Sequence, residues 1–85
     1  MEEFNNRLEK VNDLVKKCYE LCLYLKQGLY DGYYEEVTYI NDNEVDVKVD
    51  YDMIILNDHQ YVVDYWDTKG GANAIAEDFV KALEY

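Results

Sequence analysis

Apolar residues at Phe4, Leu8, Val11, Val15, Cys18, Cys22 and Leu25 recur at alternating spacings of four and three, and Leu14 and Leu21 widen the stripe. That period predicts one amphipathic helix over residues 3–27, with Gly28 as its C-terminal cap. After a loop marked by Asp31 and Gly32, the aromatic and β-branched run at 33–40 predicts a strand. Asn41, Asp42 and Asn43 carry turn chemistry. From Glu44 the period changes to two: Val45, Val47, Val49 and Tyr51 alternate with Glu44, Asp46, Lys48, Asp50 and Asp52. This is a strand with one oily and one charged face. The alternation dissolves at Met53 to Leu56, so the strand is expected to run over 44–56 with a bulge or bend near Asp52. Asn57, Asp58 and His59 form the next turn, and residues 60–67 a third strand. Gly70 and Gly71 then break the chain before a second helix over 72–84, in which Ile75, Ala76, Phe79, Val80 and Leu83 recur at helical spacing.

The expected fold is a two-layer α+β domain spanning 1–85: an N-terminal helix, a three-stranded antiparallel meander and a C-terminal helix. Short connections make 44–56 the central strand. The helices cover one sheet face and leave the other wet. That wet face is expected to hold Glu44, Asp46, Asp50 and Asp52, beside Glu35 or Glu36 from the first strand and Asp64 or Asp67 around the third, with Asp42 in the turn between. Lys48 divides the row into two acidic pairs about a cation. The four-three spacing of helix 3–27 also suits a coiled-coil seam, so a homodimer through that helix stands beside the favoured monomer. The monomer is favoured because the sheet's inner face otherwise has only the short second helix to cover it.

Charge sharpens this picture. The chain carries a net −11, yet residues 1–27 balance five acids with five bases, and residues 28–85 set fourteen acids against three lysines. Charge confined to one part of a small domain builds a directional field that attracts a basic partner. It also argues against direct binding of nucleic acid or anionic lipid through that surface. With 49% hydrophobic residues the chain has enough apolar content to fold. No apolar run approaches a membrane span, and the acidic start MEEFNNRLEK is unlike a secretory signal, so a cytoplasmic location is expected.

Catalytic and metal chemistry find little to work with. There is no serine, Cys18 and Cys22 lie inside the apolar helical stripe, and the one histidine, His59, sits in a turn. Buried thiols four residues apart on a helix read as core, poorly aimed for a disulfide. Exposed carboxylates such as Asp50 and Asp52 lack the burial that tunes a general acid or base. Gly70–Gly71 with Lys69 falls short of a phosphate loop, and Val47 occupies the position at which a calcium loop beginning at Asp42 needs glycine. The chain therefore reads as a non-enzyme, with no cofactor and no metal.

Ten tyrosines are the remaining oddity. Most suit strands and core, but consecutive Tyr33 and Tyr34 point to opposite faces if extended, so some are exposed. Tyrosine interleaved with carboxylates suits a protein-binding surface for an Arg-rich groove, and Tyr34 joins the candidate contact residues. In size, acidity and element order the chain resembles the small phage-encoded anti-CRISPR and anti-restriction inhibitors, particularly the Cas9 inhibitors. The segments MIILNDHQYVVDYW and NAIAEDFVKALEY, about half the chain, carry the resemblance. Several of that class present acids where the nuclease would hold DNA phosphates. The resemblance implies a DNA mimic in the host cytoplasm. Successive outward residues of a strand stand about 6.6–6.8 Å apart, comparable with the gap between neighbouring phosphates. The expected function is thus an inhibitor occupying the nucleic-acid-binding groove of a basic protein, such as a CRISPR nuclease. A toxin-neutralising immunity protein is the alternative.

Overall fold

In the computed structural model, which describes residues 2–29 and 33–84, the N-terminal stripe winds into a single helix, α1 (Glu2–Lys26). It ends where glycine permits a left-handed turn. Gly28 has φ 72°, its N–H donates to the Leu25 carbonyl (3.1 Å), and the Leu29 N–H donates to the Tyr24 carbonyl (2.9 Å). These two bonds are the Schellman pattern that satisfies the last carbonyls of a helix. The loop expected at Asp31 and Gly32 lies outside the described residues.

Four strands follow, not three: β1 (Tyr34–Ile40), β2 (Asn43–Asp50), β3 (Met53–Leu56) and β4 (His59–Val62), forming an antiparallel sheet in the order β1-β2-β3-β4. Asn41 and Asp42 link β1 to β2 with φ of 49° and 70°, the two positive values that a tight twisted hairpin needs. The strand expected over 44–56 is instead a hairpin that reverses at Tyr51–Asp52. The reason is one of parity. Val45, Val47 and Val49 point to the core from odd positions, so a straight continuation would send Ile54 and Leu56 to the solvent side. A two-residue reversal places Ile54 opposite Val49 and Leu56 opposite Val47, on the same inner face.

The strand expected over 60–67 also ends early. After Val62 the chain coils into α2 (Val63–Asp67), followed by α3 (Ala72–Glu84). Helical spacing puts Val63 and Trp66 on one side, and the Trp66 ring meets Tyr61 edge-on with centroids 5.4 Å apart. An extended chain would have aimed Trp66 to the same side as Asp64.

Helices α1 and α3 lie on the inner face of the sheet. Val11, Val15, Cys18 and Cys22 of α1 and Ile75, Ala76, Phe79 and Val80 of α3 are buried against Val45, Val47, Val49, Ile54 and Leu56. The α1 stripe is thus occupied by the chain's own core, each fully buried aliphatic or aromatic side chain contributing about 1.5–3 kcal/mol by leaving water. The second layer leaves the opposite sheet face to solvent.

Candidate functional site

The register of the strands assigns every outward side chain. Residues directly opposite in an antiparallel ladder share a face. Because Val45, Val47 and Val49 point inward, Glu44, Asp46, Lys48 and Asp50 point outward, and their cross-strand neighbours Tyr39, Val37 and Glu35 on β1 do the same. On the other side of β2, Lys48 stands opposite Ile55 and Asp50 opposite Met53, which in turn face Gln60 and Val62 of β4. The uncovered face therefore carries four carboxylates (Glu35, Glu44, Asp46 and Asp50) around one ammonium, with Val37, Tyr39, Met53, Ile55 and Val62 among them. Tyr39 is 68% and Val37 57% exposed, side by side with the acids of β2.

Local bonds fix this arrangement. Lys48 Nζ lies 3.6 Å from Glu35 Oε1, so the cation that divides the acidic row is paired across the strands. The Tyr39 hydroxyl donates to Glu44 Oε2 at 3.4 Å. The backbone at Asp46 is held from the side: its N–H donates to Asn57 Oδ1 (3.0 Å) and its carbonyl accepts from the Asn57 N–H (2.8 Å). Asn57 sits at φ 55°, a conformation that asparagine tolerates better than most residues. Between Glu35, Asp46, Lys48, Ile55, Asn57 and Asp58 the surface dips into an open depression of about 530 Å³.

The other candidate residues are distributed elsewhere. Asp42 is exposed at the tip of the β1–β2 hairpin, on the rim of the face. Asp52 is half-buried in the β2–β3 turn and not on the strand surface, and its carbonyl accepts from the Val63 N–H at 2.8 Å. Glu36 points to the inner side of β1 but remains exposed, because β1 overhangs the helical layer at its edge. Tyr34, also inward, is half-buried against the core. Asp64 and Asp67 belong to α2, not to a third strand. Asp64 Oδ1 accepts from Lys26 Nζ at 2.7 Å, a contact that raises the lysine pKa above its ordinary value and ties α2 to α1. The face thus gathers Glu35, Glu44, Asp46 and Asp50 and leaves Asp64 and Asp67 with the helices. Its apolar members escaped the sequence reading, although Glu35, Val37 and Tyr39 share one parity in YEEVTYI.

The buried ionisable groups are held neutral. Burial pushes the Cys18 thiol up to about 12 and the Cys22 thiol up to about 11, each with a smaller push from a neighbouring acid. Neither supplies a thiolate at neutral pH. Tyr61 is pushed up by burial and by the bond its hydroxyl donates to Asp78 Oδ2 at 2.9 Å. Among the described residues no group of three or more His, Cys, Asp or Glu is arranged to hold a metal ion, and no helix is long and apolar enough to cross a membrane.

No family model, curated protein or solved structure matches this chain. The functional reading therefore stands on the face itself.

Proposed function

We propose that this chain is a non-enzymatic binding module whose uncovered sheet face docks on a basic protein and occupies the groove with which that protein holds nucleic acid. One observation carries the reading: four exposed carboxylates and several exposed apolar side chains share a face that neither helix covers. The carboxylates attract a basic surface and the apolar groups between them gain from being covered, so a basic, partly apolar groove complements each component. Inhibition of a CRISPR or restriction nuclease is one form of this function. The free, buried thiols of Cys18 and Cys22 support a reducing, cytoplasmic setting.

A second reading, an immunity-type module that neutralises a basic toxin, is favoured by Val37, Tyr39, Met53 and Ile55, because a copy of phosphate charge alone needs none of them. Competition separates the two. A module in a nucleic-acid groove is displaced by added DNA or RNA and binds less tightly as salt rises, whereas a toxin need not release it to DNA. Replacing Glu44, Asp46 and Asp50 together by lysine is expected to abolish binding in either case without unfolding the chain, since all three side chains are solvated. Unchanged binding by that variant would sink both.

A further inference from the structure

We infer that the free edge of β1 is a second docking element, which takes up an extended, lysine- or arginine-alternating segment of the partner as a fifth strand. This rests on the reading above of a basic partner and specifies how part of it is held. The sheet order leaves β1 and β4 as edges. β4 has four residues and passes directly into α2, while β1 has seven.

The two-residue turn at Asn41–Asp42 fixes the phase of the ladder. With Ile40 opposite Asn43 closing the turn, Ile40, Thr38, Glu36 and Tyr34 exchange hydrogen bonds with β2. Glu35, Val37 and Tyr39 therefore turn their N–H and C=O groups outward to the open edge, and among the described residues no backbone bond takes them up. Natural sheets block such edges with charged side chains, proline or a bulge. β1 has no lysine, no proline and no skip in its pairing with β2, and its two charges, the outward Glu35 and the inward Glu36, are acidic, so they deter another acidic edge and not a basic strand.

Two features select the occupant. A second copy brings its own net −11 and would set Glu35 and Glu36 against the same acidic surface, whereas a basic strand is attracted to it. The two sides of the added strand also meet different surroundings. Outward side chains land beside Glu35, with Glu44 and Asp46 one strand further. Inward side chains enter a cleft of about 260 Å³ between β1 and α1, where Leu14 and Ile40 offer apolar contact and Lys10 and Lys17 offset Asp13 and Glu36. The acids beside the outward positions thereby favour basic residues there, and the apolar lining favours β-branched residues inward.

The test uses the whole chain and a capped nine-residue peptide of alternating lysine and valine. Amide exchange is expected to slow at residues 35, 37 and 39 when the peptide is added. In antiparallel addition the lysine N–H groups face β1, so N-methylation at the lysine positions should weaken binding at least about tenfold, and N-methylation at the valine positions should not. Val37→Pro removes one edge N–H without touching the ladder to β2 and should weaken binding similarly while far-UV circular dichroism is unchanged. Equal affinity for the two N-methylated peptides overturns the edge site, as does a dimer in light scattering that Val37→Pro dissolves. If lysine at 44, 46 and 50 abolishes peptide binding and Val37→Pro does not, the acidic face stands and the edge falls. If Val37→Pro abolishes it and charge reversal does not, the edge stands and the acidic-face reading falls.

Discussion

Gly28 and the two cysteines show how single residues set the frame for this molecule. At Gly28 an added Cβ would meet nothing within 4 Å, so the cost of Gly28→Ala is conformational alone. Holding alanine at φ 72° costs about 1–2 kcal/mol, and urea denaturation should show a loss of that size. The thiols give a pH signature. Both stay neutral in the fold, while the unfolded chain ionises them from the ordinary 9.0 upward. Their contribution is therefore complete below pH 9 and falls as pH rises toward about 11 and 12. Denaturation midpoints should drop between pH 8 and pH 9.5, below the range in which tyrosine ordinarily ionises, and the drop should shrink in Cys18→Ala.

Among the elements, the β3–β4 turn positions the site most directly, because Asn57 bonds both backbone groups of Asp46. Asn57→Ala loses the side-chain acceptor and places alanine at φ 55°, so a destabilisation of about 1–3 kcal/mol is expected by denaturant titration. A folded Asn57→Ala with unchanged midpoint would show that β2 needs no such support. The two helices, the β1–β2 turn and the inward valines were legible because each rests on a local period or a local turn residue. The reversal at Tyr51–Asp52 was not, since neither residue is glycine and Tyr51 adopts φ 58° only because the inner face demands Ile54 and Leu56. For the same reason 63–67 read as a strand: the helical pairing of Val63 with Trp66 is visible only once Tyr61 is known to lie beneath the ring. The acids of β2 were placed correctly by parity alone, whereas Asp52, Asp64 and Asp67 followed the two misjudged elements off the sheet.

For the whole molecule, the division of labour is between a covered and an uncovered sheet face. The covered face holds the fold together through α1 and α3; the uncovered face holds four carboxylates and one lysine that take no part in that core. Lysine at 44, 46 and 50 should therefore leave thermal stability within about 0.5 kcal/mol of the parent, since all three side chains are solvated and the repulsion among the acids is exchanged for a similar one with Lys48. Capture from cell lysate at low salt, with parent and triple-lysine chains side by side and with or without added DNA, tests the central claim most directly. The account predicts that the parent retains a basic nucleic-acid-binding protein, that DNA displaces it, and that the triple-lysine chain retains none. Retention of the same protein by both chains, undisturbed by DNA, would contradict it.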